Sequence, residues 1–186
     1  NFNGRVVCSN IKYADSGKSF VLPYQIFNID GIRVAVVGCV APHITTWEAS
    51  APDHFKNLNF EDPIAALKAT VKSIEGQYDV LVGAMHISRD GEYESEGKSG
   101  VFQIAKEVPE LDVILAGHEH ATYCEKVNDT WVLEPGKYGS QVAFTKFNLK
   151  KENGAWKITN VEAKNIPTKG VEPSQDVLDK FKWVDD

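Results

Sequence analysis

The sequence predicts a mixed α/β domain, and three observations carry that prediction. Near-continuous apolar runs at 34–40 (VAVVGCV), 80–83 (VLVG) and 113–117 (VILAG) have the composition of strands buried on both faces. Segments of helical periodicity separate the last two pairs, so the middle of the chain reads strand, helix, strand, helix, strand, which implies parallel strands with right-handed crossovers. The last third instead reads as antiparallel hairpins.

Taken in order, "NFNGRVV" is a short turn before an apolar strand, an opening that looks like the middle of a protein. "YQIFNIDGIRVAVVGCV" is a hairpin about Asp30-Gly31, a dipeptide suited to a two-residue turn of positive φ. Residues 41–60, with prolines at 42 and 52, read as a long loop. Asp62 then suits an N-cap and Pro63 a first helical position. Ile64, Leu67, Val71 and Ile74 give that helix one apolar face, and Gly76 ends it. "YDVLVGAMH" is a strand with His86 at its end, and "SRDGEYESEGKSG" a polar loop. "VFQIAKEV" is a short helix stopped before Pro109, and "LDVILAGHEH" a strand ending in histidines. Hairpins follow around Asn128-Asp129 and Asn153-Gly154, with Val142, Phe144 and Phe147 alternating with polar neighbours as strands with one wet face do. "SQDVLDKFKWV" is a terminal helix. The whole is one domain, or most of one.

Composition excludes some functions. At 186 residues, 42% hydrophobic and 25% charged, the chain has the balance of a globular domain. No apolar run approaches the ~18–20 residues that span a bilayer. A net charge of -6 without a basic cluster argues against binding nucleic-acid polymers. Cys8, Cys39 and Cys124 are too scattered for a zinc pair and read as small buried hydrophobes.

The chemistry concentrates in histidine. In open α/β sheets, sites form beyond the carboxyl ends of parallel strands. His86 follows one such strand, and His118 and His120 follow the next after Gly117, a residue that would let the backbone turn sharply. In an extended tail, residues i and i+2 face the same side, so both could meet one metal. His43 and His54 read as solvated loop residues, and Glu119 should point away. Two arrangements stay open: a mononuclear zinc site with three histidines and a water, or half of a dinuclear site. Asp79 and Asp112 lie at the strand starts, away from the histidines, and Asp90 is also misplaced, so bridging carboxylates would have to come from outside this chain.

These segments resemble the calcineurin-like metallophosphoesterases, specifically the 5'-nucleotidase and 2',3'-cyclic-nucleotide 2'-phosphodiesterase branch. The resemblance rests on "VVCSNIKY", "TTWEA", "YDVLVGAMHIS", "VILAGHEHA", "EPGKYGSQVAFTKFNL" and "GVEPSQDVL", and covers nearly the whole chain. It implies part of an α/β/β/α sandwich, with residues 1–186 as the C-terminal half of the catalytic domain. The family's Asp-x-His, Gly-Asp-x-x-Asp and Gly-Asn-His-Glu motifs are absent and would lie upstream of Asn1, along with the catalytic residues. The branch's nucleotide-binding domain is also absent.

By the resemblance, two divalent ions (manganese, zinc or iron) activate a hydroxide that hydrolyses nucleotide phosphate esters. His86 and His118 would serve one ion and His120 the other, and Tyr138 would shape the substrate edge. Alone, the chain should be inactive and leave apolar surface for a companion segment or for self-association. The resemblance places the protein in the periplasm, at the cell surface or outside the cell. The rival is a non-catalytic binding or assembly module built on the same fold.

Overall fold

The computed structural model describes residues 4–93 and 97–184; part of the loop between His86 and Val101, residues 94–96, lies outside them. In chain order the strands and helices are β1 (Ile11–Tyr13), β2 (Tyr24–Ile29), β3 (Ile32–Val40), α1 (Ile44–Trp47), β4 (Leu58–Phe60), α2 (Pro63–Ser73) and β5 (Val80–His86). Then come α3 (Val101–Glu107), β6 (Val113–Gly117), β7 (Thr122–Val127), β8 (Thr130–Pro135), β9 (Gln141–Glu152), β10 (Ala155–Pro167) and α4 (Gln175–Lys180).

The fold is mixed α/β, as the apolar runs predict. Six strands form one sheet in the order β2-β3-β5-β6-β8-β7. β3, β5, β6 and β8 run parallel, and β2 and β7 are antiparallel edges. The β2–β3 turn uses Asp30 and Gly31 at φ 52° and 83°, the turn its dipeptide predicts. In α2, Asp62 caps by accepting the Ala65 amide at 2.7 Å, and Pro63 opens the helix.

The apolar faces of α2 and α3 close over one side of the sheet. Leu67, Ile74 and Ile104 are fully buried there with Ala35, Val37, Leu81, Ile114 and Val132. Each such large side chain contributes about 1.5–3 kcal/mol through burial. On the opposite side Val34, Val36, Val82 and Leu115 stay half-buried while Val80, Val113 and Leu133 are buried, so that face is covered only in part. Among the described residues no helix is long and apolar enough to cross a membrane.

Three sequence expectations change. The loop at 41–60 contains α1, a 3-10 turn at Pro52–Phe55, and β4, which pairs antiparallel with β1. The hairpin at Asn128-Asp129 has no wet strand on β8. That strand pairs with β6 and buries Val132, Leu133 and Glu134 completely. The last hairpin, β9–β10, is a separate ribbon on which Val142 and Phe144 point out, 56% and 38% exposed, while Phe147, of opposite parity, shares the inner face.

At the amino end of the sheet, Asp79 accepts the Arg33 backbone amide at 2.8 Å, its Nε at 3.1 Å and its Nη2 at 2.7 Å. Those bonds from the Arg33 side chain, first of all, hold the Asp79 carboxyl below the ordinary carboxylate range. A depressed folded-state pKa means stability that is present above the unfolded value, about 3.9, and lost as pH falls through the folded one. Asp79→Asn is therefore expected to cost about 1–3 kcal/mol at pH 7 and to flatten stability against pH below about 4. Urea unfolding at several pH values measures this; parallel pH profiles for wild type and variant would refute it.

Candidate metal centre at the carboxyl edge of the sheet

The parallel register sets Val40, His86 and Gly117 in one row across β3, β5 and β6. The chain beyond each strand therefore leaves the sheet at the same edge. Ala41, just past β3, donates its amide to the His86 carbonyl at 3.0 Å and ties the two strand ends together.

His118 Nδ1 lies 3.3 Å from His86 Nε2, with the rings 5.0 Å apart and nearly perpendicular. On the far side, His118 Nε2 is 2.8 Å from Glu92 Oε1. An ionised carboxylate can only accept, so Nε2 carries a proton and a neutral His118 presents the Nδ1 lone pair to His86. Trp47 lies against the His118 ring at 4.8 Å, tilted 32°, and donates its Nε1–H to the Tyr93 hydroxyl at 3.0 Å. His86 is held below the ordinary imidazole range, by burial first and then by the neighbouring His118 and His120.

His120 departs from the predicted geometry. The tail is not extended: His118 and His120 both have positive φ, 126° and 61°, so the i and i+2 side chains do not share a direction. Gly117 is not in the left-handed region; His118 itself makes the turn. The His120 ring instead faces Tyr138, at 6.0 Å. Tyr138 also has a positive φ of 56° and is 90% exposed beside that edge.

His54 is exposed, as expected. His43 is not solvated: it is 7% exposed, at the start of α1, packed against Trp47 and Tyr93. The loop folds back because α1 turns Trp47 toward the histidines. Glu92 is not among the carboxylates that the sequence singles out, Asp79, Asp90, Asp112 and Glu119. The turn at Gly91, φ 83°, is the local signal that the chain can reverse toward His86.

Among the described residues no three His, Cys, Asp or Glu side chains form a group that could hold a metal ion. Two nitrogens do fit as partial ligands. Zinc–nitrogen bonds of ~2.0–2.1 Å to atoms 3.3 Å apart subtend roughly 105–110°, close to tetrahedral. The His118–Glu92 contact is the carboxylate–histidine pairing that orients ligating imidazoles.

No known protein-family model matches the chain. It is 22% identical over 186 residues to the endonuclease YhcR of Bacillus subtilis, covering 98% of this chain and 15% of that protein. It is 23% identical over 186 residues to a 2',3'-cyclic-nucleotide 2'-phosphodiesterase/3'-nucleotidase of Yersinia enterocolitica, covering 87% of this chain and 28% of that protein. Its fold matches the crystal structure of the calcineurin-like phosphoesterase YfkN from Bacillus subtilis with a TM-score of 0.84 at 20% identity, covering 98% of this chain and 62% of that one. The chain thus spans less than a third of the length of either sequence relative.

Proposed function

We propose, from the premise that the relatives and structural neighbours of this chain are calcineurin-like phosphoesterases, 5'-nucleotidases and 2',3'-cyclic-nucleotide phosphodiesterases, that it is the second half of such a catalytic domain, acting on nucleotide phosphate esters. The observation that carries this reading is the pair of imidazole nitrogens, His86 Nε2 and His118 Nδ1, set 3.3 Å apart at the carboxyl edge. His86 and His118 would hold one divalent ion (manganese, zinc or iron) and His120 would serve a second. Divalent ions bound there would supply Lewis acidity and lower the pKa of water toward neutrality.

The chain's own residues orient and shape. Glu92 fixes the tautomer of His118 by accepting its Nε2 proton. Trp47 walls the His118 ring from one side. Tyr138, held out beside His120, offers an aromatic face to the sugar or base of a nucleotide. Remaining ligands, and the group that protonates the departing ribose oxygen, would come from a companion segment. The half-buried second face of the sheet and the exposed Val142 and Phe144 are the surfaces such a segment would cover. The same kinship supports a periplasmic, cell-surface or extracellular address.

The test compares this chain with a longer protein carrying the companion segment, on 2',3'-cyclic AMP and on AMP with added manganese or zinc. Metal-dependent turnover is expected only from the longer protein. Robust turnover by the chain alone would contradict the half-site. A longer protein inert on both substrates would favour a binding module.

A further inference from the structure

We infer that Glu134 is the positioning residue of the His118–His120 segment, holding its strained backbone through the amide of Ala121. This rests on the reading of those histidines as ligands. Glu134 sits near the end of β8 and is 0% exposed. A carboxyl group in so dry a place is costly unless it does something specific. Its Oε1 accepts the backbone N–H of Ala121 at 3.2 Å. Two residues further along, the Gly136 amide donates to the Ala121 carbonyl at 2.9 Å. Both backbone groups of Ala121 are therefore tied to the 134–136 segment, one residue beyond His120.

The clamp acts where the chain needs it. His118 and His120 both hold positive φ, a conformation that costs non-glycine residues about 1–3 kcal/mol and persists only where the surroundings enforce it. Glu134 is itself fixed. Asn165 of the ribbon donates through Nδ2 to the carbonyls of Glu134 at 2.8 Å and Tyr123 at 2.9 Å. Tyr123, 7% exposed, packs edge-on against Phe102 at 5.7 Å. Among the described residues neither the Tyr123 hydroxyl nor Glu134 Oε2 closes a hydrogen bond to another protein atom. The carboxylate thus closes its hydrogen bond on the Ala121 amide and stands beside the Tyr123 hydroxyl, whose pKa is pushed up by burial first and then by Glu134.

The 186-residue chain, isotope-labelled, tests this in three forms: wild type, Glu134→Gln, which keeps an oxygen acceptor, and Glu134→Leu, which removes it at similar volume. Glu134→Leu should speed hydrogen exchange of the Ala121 amide at least about tenfold and shift the His118 and His120 backbone resonances, while the amides of Leu67 and Ile104 stay protected. Glu134→Gln should restore both. Titration with Zn²⁺ alone, followed on the His86 and His118 ring signals, should show affinity weakened about tenfold in Glu134→Leu and recovered in Glu134→Gln. Wild-type exchange and shifts in Glu134→Leu, or a Gln variant that behaves like Leu, would overturn the inference. If Glu134→Leu does not fold, Glu134→Asp, which withdraws the carboxylate by one methylene, takes its place with the same two outcomes. Ala121 exchange decides the role of Glu134 whether or not Zn²⁺ moves the wild-type ring signals, because this chain supplies only part of the ligand set.

Discussion

His118→Ala is expected to lower phosphate-ester hydrolysis by the complete protein about 100-fold and to release bound metal. The size follows from what one ring does. Its Nδ1 meets His86 Nε2 at 3.3 Å, its Nε2 meets Glu92 at 2.8 Å, and Trp47 packs on its face at 4.8 Å. Alanine supplies no nitrogen, and a displacement of ~1 Å in the reacting groups can cost ~100-fold. Glu92→Gln should act more weakly, about tenfold in metal affinity, because it removes the charge on the carboxylate that orients the ligand. His54, exposed and edge-on to Phe55 at 6.2 Å, should tolerate alanine without change in rate. His43→Ala should lose stability, by about 1–3 kcal/mol, because a buried ring is removed from the Trp47–Tyr93 cluster. Metal content and hydrolysis of 2',3'-cyclic AMP, measured across the alanine series, separate these. A His118→Ala protein that keeps both its metal and its rate would leave the histidine pair a structural feature of a strand end.

What the residues revealed in advance was local. Asp62, Pro63 and the three-and-four spacing of Ile64, Leu67, Val71 and Ile74 specify α2 because capping, proline geometry and amphipathicity act within a few residues. Asp30-Gly31 specifies its turn for the same reason. The apolar runs of β3, β5 and β6 predict parallel strands, and parallel pairing brings His86 and Gly117 level. What stayed hidden depends on distant partners. β8 and β7 read equally well as an isolated hairpin; the strand that β8 joins, β6, is known only once the chain has folded. Burial of Glu134 follows from that insertion. The sequence predicts an extended backbone at His118 because nothing in Gly-His-Glu-His announces a positive φ on histidine, which is sustained by tertiary contacts. Trp47 and Glu92 reach His118 from loops 71 and 26 residues away in the chain, a closeness no short pattern encodes.

Asn10→Ala is expected to cost about 3–5 kcal/mol, near the limit for a single substitution. Asn10 is 0% exposed and uses every part of its amide. Its Nδ2 donates to the Val40 carbonyl at 2.9 Å and the Glu61 carbonyl at 3.1 Å, while Oδ1 accepts the Val40 amide at 3.0 Å and the Cys8 thiol at 3.3 Å. Alanine leaves those backbone groups dry and unpaired, at about 1–3 kcal/mol each before relaxation. Ser9→Ala is the internal comparison. Ser9 is equally buried, but its hydroxyl makes one bond, to the Pro23 carbonyl at 2.9 Å, so about 1 kcal/mol is expected. Asn10→Asp should be at least as damaging as alanine near neutral pH, since it turns a carboxylate oxygen toward two carbonyls that need a donor, and should recover partly in acid as the carboxyl protonates. The effect reaches the histidines, because Val40 is the residue in register with His86 across β3 and β5. Urea unfolding at constant slope measures the stabilities. A loss under about 1 kcal/mol for Asn10→Ala would mean that the amide bridges between β3 and the β4 segment do not hold this edge of the sheet in place.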